Sequence, residues 1–303
     1  MVWLIILLSY VLLRTYLYYR EKNLPGGAQA GQRYRRSMVI MITINLALLG
    51  VLLALEKKMV YHPSSDKEYW SPPAGLAFED VFLKSTLGDT IHAWWCAEPH
   101  ASMTLLFSHG NAGNLSGHAW LIPALRRWYP CNVLIYDYPG FGKSTGTPSE
   151  AGCYAAAQAA QNWLTETAHI PTDKLIYLGQ SLGCAMACEL AVTREHRGLI
   201  LLSPFTTIRD RGQEILSILP VRWLMSHHYD NKSKLQQYHK PLLIAHGTRD
   251  EVIPFHHGKQ LFEAAASREK TFITLPNATH NEVPDEFFKA VEQFLSKLTP
   301  STK

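Results

Sequence analysis

The chain has 303 residues, 47% of them hydrophobic and 18% charged, an ordinary balance for a globular protein with a sizeable core. Its net charge of +4 is unevenly spread: residues 1–58 hold eight of the 29 basic residues but only two of the 25 acidic ones, so they are net +6 and residues 59–303 net −2. A near-neutral main body with no dense Lys/Arg stripe excludes the electrostatic footprint of a nucleic-acid-binding protein.

The first 58 residues contain two apolar runs. Residues 2–19 are broken only by Ser9, Arg14 and Thr15, and residues 38–55 only by Thr43 and Asn45. Runs of about eighteen residues are near the minimum for a helix that spans a bilayer. Between them lies a polar, Pro/Gly-bearing, basic stretch. The pattern predicts a membrane anchor over 1–58, a helical hairpin with spans at 2–19 and 38–55 and the lipid bilayer as partner. The alternative is that the first run, carrying Arg14, lies in the interface. A cleaved signal peptide fits less well, because no basic n-region precedes the first run. Arg33, Arg35 and Arg36 precede the second run and hold that flank in the cytoplasm, which sends the C-terminal domain to the non-cytoplasmic face. Lys57 and Lys58 on the far flank pull the other way.

From residue 59 onward, strands are expected at 78–84 and 90–95 around Leu87-Gly88-Asp89. Strand and helix then alternate: strand 104–107, a helix from Ser116, strand 132–136, helix 150–167, strand 175–178, a helix from Leu182, and strand 199–202. Residues 203–239 break the rhythm, and strand 242–245, helix 257–266, strand 271–275 and helix 285–298 restore it. Apolar strands alternating with amphipathic helices predict an α/β fold, a mostly parallel central sheet with helices on both faces. The five cysteines at 96, 131, 153, 184 and 188 include no CxxC pair; Cys184 and Cys188, four apart on a predicted helix, read as small buried apolar residues.

Gly179-Gln180-Ser181-Leu182-Gly183 fits G-x-S-x-G. The pentapeptide is weak by itself, but it stands between a buried strand, LIYLG, and an apolar helix, CAMACELAV. A nucleophilic serine needs such a sharp strand-to-helix turn, with small residues that let the two elements approach. Ser181 is therefore the candidate nucleophile. A serine needs a base, and the base an orienting acid. Asp250, just beyond strand LLIAH, and His280, beyond the last strand, lie where ligands of open α/β sheets bind. Asp210 and Asp230 are rivals for the acid. The two N–H donors of an oxyanion hole are expected from Leu182 and from the loop Ser108-His109-Gly110-Asn111-Ala112-Gly113-Asn114, with Asn111 first and Ala112 second. His109 reads as a loop brace. No histidine spacing suits a metal, so no metal or organic cofactor is expected. Asp137-Tyr138-Pro139-Gly140-Phe141-Gly142-Lys143-Ser144 ends in GKS, but Asp137 stands where a phosphate-binding loop needs its first glycine, and a tight turn at the site's rim is the better reading.

With VYHP at 60–63, SPFTTIRD at 203–210, HGTRDEVIP at 246–254 and NATHNE at 277–282, these motifs run in order over about residues 56–298. Together they resemble the α/β-hydrolase superfamily, most of all the membrane-anchored branch that includes alpha/beta-hydrolase-domain depalmitoylases and bacterial hydrolases of unassigned substrate. The resemblance implies the α/β-hydrolase fold, the order nucleophile, acid, histidine, and a short cap over 203–239. In that cap Trp223, Leu224, Met225 and Tyr229 either accept an acyl chain or pack on the core. The expected activity is serine hydrolysis of a carboxylic ester or thioester on a small acyl-bearing or lipid-like substrate. A serine peptidase or acyltransferase with the same triad is the first alternative, and a catalytically silent membrane scaffold the second.

Overall fold

The computed structural model describes residues 2–22, 24, 27–217 and 220–299; the side chains of 2–9, 27, 28, 48, 49 and 52–55 are outside that description. Two compact units emerge, residues 1–59 with 209–226, and residues 60–208 with 227–303.

The first unit is built on helices α1 (Val2–Glu21) and α2 (Gly27–Val60). Arg14, the charge that interrupts the first apolar run, donates from Nε to Ser37 Oγ at 3.1 Å, and the hydroxyls of Thr15 and Tyr34 lie 3.3 Å apart. These polar groups therefore meet on the facing sides of the two helices. Among the described residues no helix is long and apolar enough to cross a membrane. Both expected spans, 2–19 and 38–55, include side chains outside the description. Near the end of α2, the buried Glu56 carboxylate accepts the Ser226 N–H at 2.9 Å and the Ser226 hydroxyl at 2.9 Å. Between the short helices Ile208–Ile215 and Val221–Leu224, Asp210 and Arg222 form an ion pair. Trp223 is 86% exposed.

The second unit is an eight-stranded sheet: β1 (Glu79–Lys84), β2 (Thr90–Cys96), β3 (Met103–Ser108), β4 (Cys131–Tyr136), β5 (Leu175–Gln180), β6 (Gly198–Leu202), β7 (Leu242–Gly247) and β8 (Lys270–Leu275). The spatial order is β8-β7-β6-β5-β3-β4-β2-β1. β1 and β2 form an antiparallel hairpin, β2 pairs antiparallel with β4, and every other pair is parallel. The hairpin turns at Gly88, whose φ of +92° suits glycine. β3, β5, β6 and β7 are buried at every position, which is why they read as continuous apolar runs and not as alternating ones.

Each covering helix has a local cause. Ser149 caps Glu150–Asn162 by accepting the Gly152 N–H, and Ala155, Ala156, Ala157, Ala159 and Ala160 bury the helix's small face. The helix passes into a π turn at Trp163–Thr167, within the single helix expected there. Asp285–Leu298 buries Phe287, Phe288, Val291, Phe294, Leu295 and Leu298, the helical spacing of one apolar stripe. Each of its fully buried large side chains contributes roughly 1.5–3 kcal/mol of transfer free energy. The one helix expected from Ser116 is two, Leu115–His118 and Leu121–Arg126. Pro123 supplies no N–H to carry a single helix through that point. A two-residue parallel pairing of His62–Pro63 with Ala112–Gly113, absent from the sequence reading, ties the chain leaving α2 to the loop after β3. All five cysteines are buried and unpaired.

Candidate active site

Ser181 sits between β5 and helix Gly183–Thr193, with a φ of +52°, the left-handed region that a serine rarely occupies. The turn is forced by close packing. A Cβ on Gly179 would come within 2.6 Å of the Cys184 Cα, and one on Gly183 would run into the Ser108 carbonyl. Ser181 N–H is tied to the Leu202 carbonyl at 2.9 Å, which leaves the side chain at the carboxyl end of the sheet.

His280 follows β8 in a loop that turns at Asn277, φ +57°. Its Nε2 lies 3.0 Å from Ser181 Oγ, and its Nδ1 lies 2.8 Å from Asp250 Oδ2. Asp250 follows β7 and accepts the N–H groups of Val252 and Ile253 at 3.0 and 2.7 Å on Oδ1. The fold thus brings Ser181, His280 and Asp250 into one chain of hydrogen bonds. The rival acids have other work: Asp230 caps helix Asn231–Leu235 through the Ser233 N–H, and Asp210 pairs with Arg222.

The two expected oxyanion donors flank this chain. Leu182 begins the helix after Ser181, and among the described residues neither its N–H nor that of Asn111 finds a partner within the fold. The Asn111 side chain is turned outward to His62, taking the His62 N–H at 3.3 Å on Oδ1 and lying 2.9 Å from His62 Nδ1 through Nδ2. Only its backbone N–H is therefore left for a developing oxyanion. Gly110 lies between: a Cβ there would stand 3.2 Å from the His118 ring and 3.8 Å from Ser181 Cβ.

A family profile for the alpha/beta hydrolase fold matches residues 104–223. Alpha/beta hydrolase domain-containing protein WAV2 of Arabidopsis thaliana is 30% identical over 294 residues, covering 86% of this chain and 94% of the relative. Alpha/beta hydrolase domain-containing protein 17B of Homo sapiens is 33% identical over 224 residues, covering 73% and 76%. The chain belongs to the α/β-hydrolase family, in its alpha/beta-hydrolase-domain branch. Among solved structures, the Pyrococcus furiosus esterase Pf2001 matches this hydrolase with a TM-score of 0.66 at 19% identity, over 79% of this chain and 97% of that one, a likeness of fold.

The electrostatics of the hydrolase site centre on its buried carboxylate. Burial alone would raise the Asp250 carboxyl, but His246, His280 and the Ile253 N–H outweigh it and hold the group well below the usual carboxylate range. His246, buried beneath it, donates from Nε2 to the Ile253 carbonyl at 2.7 Å and so fixes the turn that supplies those N–H groups. His246 and His62 escaped the sequence reading. Their roles depend on contacts with turns far along the chain, although His246 opens the same HGTRDEVIP segment as Asp250. The depressed carboxyl sets a direction. Its contribution to stability is complete above its unfolded value, about pH 4, and is lost as pH falls through its lower folded value. Urea unfolding should therefore show Asp250→Asn less stable than wild type at pH 7, with a shallower further loss in acid. Parallel acid slopes for the two proteins would show that Asp250 is not held in this way.

Proposed function

We propose that this hydrolase cleaves a carboxylic ester or thioester through an acyl-serine intermediate. The observation that carries the reading is the 3.0 Å approach of His280 Nε2 to Ser181 Oγ, with the serine held in a left-handed turn at the head of a helix. Ser181 Oγ attacks the carbonyl carbon as its proton passes to His280 Nε2. Asp250 holds the imidazole by Nδ1 and stabilises the imidazolium that forms. The oxyanion takes the N–H groups of Leu182 and Asn111. On collapse the bond to the leaving oxygen or sulfur breaks, and His280 returns the proton to it. Water then repeats the sequence on the acyl-enzyme and releases the acid and free Ser181. Side chains and backbone N–H groups suffice for every step.

A peptidase or acyltransferase would use the same residues on another acyl donor or acceptor. The ester or thioester is preferred because the proposed setting is lipid: two apolar runs precede the site, and Pf2001, similar in fold, is an esterase. A silent scaffold has no use for an aligned serine, histidine and aspartate. With a fluorophosphonate probe, wild type should label, and Ser181→Ala should lose the label while keeping its melting temperature. Undiminished labelling of Ser181→Ala would remove that residue from the nucleophile's role. Turnover in Asp250→Asn should fall on the order of 10³-fold or more, through loss of imidazole orientation.

The proposed location is a membrane, with residues 1–58 as anchor and the hydrolase on the non-cytoplasmic face. The support is the cluster of Arg33, Arg35 and Arg36 before the second apolar run. A reporter active only in the cytoplasm, fused after Lys303, should be silent in intact cells. An active reporter would reverse the orientation and direct the enzyme to acyl groups on the cytoplasmic leaflet.

A further inference from the structure

The DYPGFGKS segment is not used by the proposed chemistry, yet it begins with the most deeply placed charge near the site. Asp137 directly follows β4 and, like His92 and His109, is fully buried. Its Oδ1 accepts the Leu115 N–H at 2.7 Å and faces His109 Nε2 at 3.3 Å, and its Oδ2 faces His92 Nδ1 at 3.7 Å. The other nitrogen of each imidazole also meets an acceptor: His109 Nδ1 lies 2.7 Å from the Gly110 carbonyl, and His92 Nε2 contacts the Asp80 carboxylate. The outer contacts, to Gly110 and to Asp80, are of hydrogen-bond length, whereas His109 Nε2 and His92 Nδ1 approach the Asp137 carboxylate at 3.3 and 3.7 Å without closing a hydrogen bond. The result is a buried chain, Asp80–His92–Asp137–His109, that ends on the peptide beside Ser181.

The surroundings are shaped to this carboxylate. Gly142, φ +52°, has no room for a Cβ, because Asp137 Oδ2 fills that space. The next residue, Tyr138, donates its hydroxyl to the His109 carbonyl at 2.6 Å. His118 stacks on the His109 ring at 4.7 Å and sits 2.8 Å from the Ala112 carbonyl through Nε2. Burial would raise the Asp137 carboxyl, but His109, His92 and the Leu115 N–H outweigh it and keep it below its usual range. The segment Asp137–Gly142 therefore grips both ends of the loop that carries Gly110 and Asn111. A charge this deep leaves a large penalty if either partner is removed, so the loop is held in one place.

We propose that Asp137 is a positioning residue for the oxyanion hole: through His109 and the Leu115 N–H it fixes where the Asn111 N–H stands relative to Ser181. This rests on the acyl-serine reading above. Asp137 touches no reacting atom and acts through the loop. Its loss should leave substrate binding nearly intact and weaken only what the oxyanion needs. A displacement of about 1 Å in such a donor costs on the order of 10²-fold in rate.

The test uses the full chain in detergent. Wild type and Asp137→Asn are titrated with fluorophosphonate to count active sites, then compared for kcat and KM on a p-nitrophenyl ester and for affinity toward a trifluoromethyl ketone, which binds serine as a tetrahedral oxyanion. The expected result is a fall in kcat per titrated site of roughly 10- to 100-fold, KM changed by less than about twofold, and ketone affinity weakened by the same factor as kcat/KM. Unchanged kcat per site and ketone affinity would overturn the proposal. So would a loss confined to the number of active sites, since that is what a purely structural role produces. If Asp137→Asn does not fold, His109→Gln, which cannot reproduce the ring's contacts with Asp137 and the Gly110 carbonyl at once, must show the same split; wild-type behaviour there overturns it equally. A wild type that does not label at all would overturn the acyl-serine reading itself, which separates the two failures.

Discussion

The close approach of one helix to one strand governs the rest of this structure. Helix Gly183–Thr193 packs against β5 and the end of β3 so closely that neither Gly179 nor Gly183 has space for a side chain. That contact forces the chain at Ser181 into a left-handed turn. A turn of that kind costs of order 1–3 kcal/mol for a residue other than glycine, and persists only when its surroundings over-determine it. Here they do: the Ser181 N–H is held by β6, and the Gly183 backbone is pressed against Ser108. The turn leaves the Ser181 hydroxyl 3.0 Å from His280 Nε2, with Leu182 opening the helix that follows.

Two buried carboxylates then hold the partners that the turn requires. Asp250 gathers two N–H groups and His280, and Asp137 gathers one N–H group and the loop-bearing His109. Each is a charge that burial disfavours and that specific donors restore. In each case the carboxylate itself stands just beyond the carboxyl end of a strand, Asp137 after β4 and Asp250 after β7. The histidine arm and the oxyanion arm are thus fastened to the rigid sheet by the same physical device, one on either side of Ser181.

Much of this was legible in the sequence because it is local. Buried parallel strands show as apolar runs, the glycines of GQSLG announce a close approach, and Ser181, Asp250 and His280 each stand just beyond a strand, β5, β7 and β8. What was not legible depends on distant pairing. His62 meets Asn111 across 49 positions, and no spacing rule connects them. The Asp137 network joins residues from two strands and a loop, so Asp137 reads in the sequence as the start of a turn. In the sequence, the region 203–239 fits an acyl-binding cap and core packing equally well. Trp223 lies in the compact unit of 1–59 and 209–226 and is 86% exposed, whereas Tyr229 is buried with its hydroxyl 2.7 Å from that of Tyr61. Neighbouring apolar residues in one segment thus meet opposite surroundings, and composition alone cannot sort them.

The central claim is that Ser181 is acylated during turnover. Intact-mass spectrometry of the full chain, quenched in acid during turnover of a long-chain acyl thioester, followed by peptide mapping, addresses it directly. The account predicts an added mass equal to the acyl group, carried by the peptide containing Ser181 and removed by hydroxylamine. An adduct mapped to another residue, or turnover with no adduct detected even in a variant with slowed deacylation, would contradict it.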